Sequence, residues 1–232
     1  MRRARFQAAT DFLIRHQHLI QLRERPYKLR GAEQLRAHLG AFRTGELDQP
    51  VHVNAGNALD ILDWRVIEAV NALAAAHPDA FRRALDALWA EPLQARRADA
   101  FWAAIDPALS RIPTGVAKAV HGLGTRASVA SYFLFLADPA RFPFYRPHFG
   151  GKAMEYLYDR TEALDTASPS ALLHDYGSRA TYLLREFRDA GLPLQDQLDL
   201  QSALYVLIQD YVNKGEPKTD ISPQEAPDAQ AE

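Results

Sequence analysis

Apolar residues recur along this chain mostly at three- and four-residue intervals, the spacing that gives an α-helix one apolar face. Residues 4–22 place Phe6, Phe12, Leu13, Leu19, Ile20 and Leu22 at such intervals, and Pro26 stops the pattern. A second helix is predicted over 31–42, with Leu35, Leu39 and Phe42 on one stripe and Thr44-Gly45 as its end. Residues 45–57, GELDQPVHVNAGN, are turn-rich and form the longest connection before the tail. Asp63 caps a helix over Trp64–Ala76 in which Trp64, Ile67, Val70, Leu73 and Ala74 share a face. Pro78 opens a helix carrying Phe81, Leu85, Leu88 and Trp89, and Pro92 opens another with Ala98, Phe101, Trp102 and Ile105.

Prolines and glycines at 107, 113, 115, 122 and 124 predict an irregular connection over 106–126, with a short helical turn near 116–120. The apolar run 129–137 fits a buried strand or a buried helix by periodicity alone. A helix from about Thr125 is the expectation, because a lone strand would leave its backbone groups unpaired. Asp138-Pro139 ends it. Helices over 149–159, 169–190 and 194–213 complete an all-α reading: one irregular domain of eight or nine helices over 1–213. The tail from 214 to 232 is acidic, proline-bearing and nearly free of large apolar residues, the composition of a disordered segment.

Composition narrows the function classes. No apolar stretch of the 232 residues approaches the roughly 20 needed to span a bilayer. The arginines at the N-terminus precede no apolar signal segment, since Asp11 and Arg15 interrupt it. The chain has no cysteine, which removes disulfides, thiolate metal sites and a cysteine nucleophile together and fits a cytoplasmic protein. The net charge of −2 is unevenly spread: residues 1–43 carry +7, 44–110 carry −5, 111–160 carry +4, 161–213 carry −5 and the tail −3. Such blocks either pair with one another or bring their basic faces together toward a polyanion.

Motifs for chemistry are sparse. Gly150-Gly151-Lys152 lacks the upstream glycine and following Ser/Thr of a phosphate-binding Walker A loop, and no dinucleotide glycine motif or H-E-x-x-H is present. His174-Asp175, with His148 and Asp196, Asp199 or Asp210, is the only set resembling a metal-dependent HD-type hydrolase. Gly122–Arg126 can form either an anion-binding nest assisted by Arg126 or a plain helix start. Asn54–Asn57 is either a capped turn or a ligand-facing loop. The pattern calls for no catalytic residue, no cofactor and no bound metal.

Five segments in order, RERPYKL (23–29), VNAGNALDILDWRV (53–66), AFRRALDALWAE with ADAFWAAI (80–105), SVASYFLFLADPARFPFYRP (128–147) and LPLQDQLDLQSALYVLI (192–208), resemble the helical N-terminal region of McrB-like AAA-type restriction and phage-defence proteins. The resemblance covers about residues 6–212, and no motor sequence follows within this chain. It implies a non-enzymatic recognition module of a defence system, binding DNA or another nucleic acid. The alternative is a protein-interaction subunit that docks a separate AAA-type motor or nuclease. For the nucleic-acid reading the candidate contacts are Arg126, Arg141, Tyr145, Arg146 and Lys152, where guanidinium groups alternate with aromatic rings. Phe142, Phe144 and Tyr145 fit equally a turn pinned to the core.

Overall fold

The structure is a computed structural model that describes residues 1–47, 50–158 and 162–214. The expectation for the tail therefore falls outside the described residues, Lys214 apart. Among those residues the protein is all-α, with no strand. Ten α-helices are linked by 3₁₀ and π-helical turns: α1 (Arg3–Arg15), α2 (Arg25–Thr44), α3 (Trp64–Ala76), α4 (Pro78–Trp89), α5 (Ala98–Ile105), α6 (Thr114–Ala117), α7 (Leu123–Ala137), α8 (Lys152–Leu157), α9 (Pro169–Asp189) and α10 (Gln197–Val206). None of these is long and apolar enough to cross a membrane.

The apolar run 129–137 lies at the centre of the packing. Every residue of α7 from Ala127 to Leu136 is buried, so this helix has no solvent face. Helices α2, α4, α5 and α9 pack around it. Phe81, Phe101 and Phe133 meet with ring centroids 5.5 to 6.2 Å apart. Polar tips at this core reach backbone acceptors: the Tyr132 hydroxyl donates to Val53 O at 2.7 Å, Trp89 to Phe133 O at 2.8 Å and Trp102 to Arg126 O at 3.0 Å.

The helix boundaries near Pro26 and Pro92 and the buried face of α3 differ from the periodicity. α1 stops at Arg15, and a π-helical turn (Leu19–Glu24) feeds directly into α2, so Pro26 opens α2 rather than ending a helix. Proline lacks an N–H and clashes with the carbonyl of the preceding turn; both are tolerated at a helix start. Trp64, expected on the buried face of α3, is 64% exposed, because Val66, Ala69, Val70, Leu73 and Ala74 form that face instead. Pro92 follows a cis peptide bond and precedes a 3₁₀ turn (Ala95–Arg97), with α5 beginning only at Ala98. The short turn expected near 116–120 is present as α6 and a 3₁₀ turn (Lys118–Val120).

The segments that carry the family resemblance interlock. Arg25, from RERPYKL, grips Asp196 and Asp199 of the α10 start, each at 2.7 Å. Asp196 also caps α10, accepting from the backbone N–H groups of Leu198 and Asp199. Lys28 donates to Ser202 Oγ at 3.2 Å and pairs with Glu24 at 3.1 Å. Burial lowers the Lys28 ammonium's pKa, against the opposing pull of Glu24.

Candidate ligand cavities around the 138–151 strap

Between α7 and α8 the chain runs as a non-helical strap, residues 138–146, followed by a π-helical turn (Pro147–Gly151). Pro139, Pro143 and Pro147 keep it from continuing α7. Its backbone is sewn to two helices instead. Phe144 N–H donates to Gln201 Oε1 at 3.2 Å, and Tyr145 N–H to Ser131 Oγ at 3.0 Å. Ala140 O accepts from Gln197 N–H at 3.0 Å. Phe144 and Tyr145 are buried, which agrees with a turn pinned to the core.

The strap separates cavities. Arg141, Phe142 and Pro143 line an outer cleft of about 410 Å³, whereas Phe144 and Arg146 line an inner cavity of about 190 Å³. Tyr176 of α9 borders both.

The inner cavity alternates cations with rings. The Arg146 guanidinium lies 5.2 Å from the centre of the Phe149 ring, and Phe149 meets Tyr205 at 4.8 Å. The Lys28 ammonium lies 5.6 Å from the Tyr205 ring and 5.8 Å from that of Tyr27. Each cation–ring pair is favourable by about 0.5–2 kcal/mol. Burial raises the phenol pKa values of Tyr27, Tyr176 and Tyr205, so all three remain neutral hydrogen-bond donors at ordinary pH. The Tyr176 hydroxyl is buried without a hydrogen-bond partner among the described residues. Gly150 makes room for it: a Cβ there would sit 2.7 Å from that oxygen. Asp60 is exposed at the cavity's edge. The phenols of Tyr27, Tyr176 and Tyr205, the Phe149 ring, an ammonium and a guanidinium thus border one cavity.

The five residues picked out for nucleic-acid contact do not share one surface. Arg126 is bound by Asp106 at 2.7 and 3.0 Å, donates to Val120 O and lies 4.8 Å over the Trp102 ring. It is thus a staple between α5 and α7, and Gly122 simply precedes α7 as its N-cap. Arg141 donates to Leu93 O at 3.2 Å and lies over Phe142 at 5.0 Å, in the outer cleft. Tyr145 stacks edge-on against Tyr176 at 5.1 Å. Arg146 borders the inner cavity, and Lys152 is exposed at the start of α8.

Other motifs resolve into scaffolding. The Asn54 side chain bridges Leu59 N and O at 3.1 and 2.9 Å, closing the Asn54–Asn57 turn on itself. Asp175 is taken by Arg179 and the backbone N–H of Asp165. Asp196 and Asp199 serve Arg25, and Asp210 serves Arg23 and Lys214. No group of three or more His, Asp or Glu side chains suited to a metal occurs among the described residues, so the HD-type ligand set does not assemble there. The contribution that sequence reasoning missed is Lys28 with Tyr27 and Tyr205. A buried lysine leaves no trace in a helical pattern, although the RERPYKL segment contained it.

No family model, curated protein or solved structure matches this chain.

Proposed function

We propose that this chain is a non-enzymatic recognition module that binds nucleic acid, and that it serves a restriction or antiphage defence system in the cytoplasm. The inner cavity carries the reading: a guanidinium and an ammonium alternate with the faces of Phe149, Tyr205 and Tyr27 around a slot with neutral phenol donors. A base can stack on such faces, each stack contributing about 1–3 kcal/mol, while Arg146 and Lys152 meet flanking phosphates. The Tyr176 hydroxyl and the Gln201 amide supply polar contacts to a base edge. The resemblance to the N-terminal region of McrB-like proteins supports the same reading.

The test is fluorescence anisotropy with labelled single- and double-stranded oligonucleotides over a salt series. Log K is expected to fall with log salt, by about 0.7 per single-strand phosphate contact and about 0.9 per duplex contact. Tyr205→Ala should weaken single-strand binding by about fivefold or more, the lower end of one lost stack. Arg146→Ala should also flatten the salt slope. Salt-independent affinity, or Tyr205→Ala and Arg146→Ala proteins that bind like the parent, would refute the reading.

Exposed Trp64 and Leu22, at 64% and 77%, favour a second reading, in which the chain docks a separate AAA-type motor or nuclease. Trp64→Ser would then abolish the complex with a co-encoded motor subunit while leaving the fold intact.

A further inference from the structure

The outer cleft, on the far side of the strap, is a different chemical environment. Arg96 enters from the 3₁₀ turn before α5, Arg141 from the strap and His174 from α9. Among the described residues, no carboxylate lines it. Acidic side chains close in sequence to the lining residues have partners of their own: Asp175 is held by Arg179, Asp99 accepts from Ser168 Oγ and Ser170 N–H, Asp138 accepts from the Arg141 backbone, and Glu91 accepts from Leu93 N–H at 3.2 Å. Two permanent positive charges therefore face a concave surface with no lining counter-charge, which focuses positive potential there.

Both guanidinium groups are oriented but not consumed. Arg141 uses one N–H on Leu93 O, at 3.2 Å, and rests over the Phe142 ring. Arg96 contacts His174 Nε2 at 3.3 Å, and its own backbone carbonyl is fixed by Ser170 Oγ at 2.8 Å. A guanidinium has five N–H donors in a rigid fork, so most of each fork is left for a ligand. The floor is apolar, formed by Leu93, Leu134, Phe142 and Leu173. The cleft's volume of about 410 Å³ lies within the usual range of small-molecule sites, about 300–1,000 Å³.

We infer that this cleft binds an organic phosphomonoester. Two guanidinium groups match the charge of a phosphate that carries about −1.5 to −2 at pH 7, where a carboxylate would need only one. His174 Nε2 accepts from Arg96 and so orients that guanidinium, and the apolar floor takes the ligand's organic part. This site is separate from the inner cavity and does not rest on nucleic-acid binding there. A free mononucleotide and the 5′-phosphorylated end of an oligonucleotide present the same chemistry.

Isothermal titration with adenosine 5′-monophosphate, adenosine, inorganic phosphate and a trinucleotide with or without its 5′-phosphate tests the inference. Adenosine 5′-monophosphate should bind, and adenosine should bind at least tenfold more weakly. Arg96→Gln should weaken the monophosphate tenfold or more, with Arg141→Gln as a second variant whose fold is checked by circular dichroism. Arg185→Gln, an exposed arginine of α9 that lines neither cavity, should change it less than twofold. Preference for the mononucleotide marks a small-molecule site; equal binding of the 5′-phosphorylated trinucleotide, with loss when the 5′-phosphate is removed, marks a site for polymer ends. No binding of adenosine 5′-monophosphate at millimolar concentration would overturn the inference. So would an Arg96→Gln protein that binds like the parent, or equal loss on Arg185→Gln.

Discussion

Asp199→Asn is the sharpest test of how RERPYKL and the α10 start hold the fold together. Asp199 is fully buried; its Oδ1 accepts from Arg25 at 2.7 Å and its Oδ2 from Gln195 N–H at 2.7 Å. An asparagine must turn its NH₂ toward one of these two donors, so one hydrogen bond is lost outright and the other becomes neutral. Hydrogen bonds to charged groups contribute about 1.5–3 kcal/mol each. Breaking a buried ion pair from one side costs about 3–5 kcal/mol. Arg25 keeps Asp196 as a partner, at 2.7 and 2.9 Å, which places the loss at the lower end, about 3 kcal/mol. At about 2–4 °C per kcal/mol for a domain of this size, the melting temperature should fall by roughly 6–12 °C. Urea and thermal denaturation followed by circular dichroism give both numbers. Asp210→Asn is the control: its partners Arg23 and Lys214 are largely solvent-facing, and such pairs contribute about 0–1 kcal/mol. A loss below about 1 kcal/mol for Asp199→Asn, or one equal to that of Asp210→Asn, would refute the reasoning.

Gly31→Ala should destabilise by about 1–3 kcal/mol through overpacking, because a Cβ there would lie 2.5 Å from both Ala58 O and the Leu59 side chain. Gly40→Ala in the same helix meets nothing within 4 Å and should raise the melting temperature, alanine being the better helix former by about 1 kcal/mol. Glu24→Gln should cost about 3 kcal/mol at pH 7, since it strips the buried Lys28 ammonium of its carboxylate. The folded-state pKa of Lys28 is already lowered by burial, so the unfolded chain binds more protons as pH approaches the ordinary lysine range. The Glu24→Gln deficit should therefore shrink as pH rises toward 10, and adding Lys28→Met should recover most of it at pH 7; denaturation at both pH values decides this.

The helical class, the buried run 129–137 and the α3 cap at Asp63 could be read from spacing and local chemistry, because each depends on residues within a turn or two. The helix boundaries near Pro26 and Pro92 could not. A proline marks a break in the hydrogen-bond ladder without saying on which side the helix resumes, and the π-helical turn before α2 is set by packing against α10. The cavities were less legible still. Phe142, Phe144 and Arg146 are neighbours in sequence but border different spaces, and only the contacts of the strap with Ser131 and Gln201 decide which faces where. Tyr176 and Lys28, which shape the inner cavity, come from helices far from the strap in sequence.

The arginines show why guanidinium groups in short motifs serve the fold before they serve a ligand. Arg25, Arg126 and Arg141 are each engaged by a carboxylate or backbone carbonyl of their own chain. Arg25 joins the basic N-terminal block to the acidic late one, and Arg126 joins the basic middle block to Asp106 in the acidic block before it. The alternating charge blocks thus act in part as internal pairing, which lowers the charge left for a polyanion. Beside the cavities the charge is local: Arg146 at the inner one, and Arg96 with Arg141 along a cleft with no lining carboxylate among the described residues. Function is therefore better sought in these residual, unbalanced guanidinium groups than in the net charge of a block. Variants at Arg126 should accordingly change stability while leaving ligand affinity unaltered.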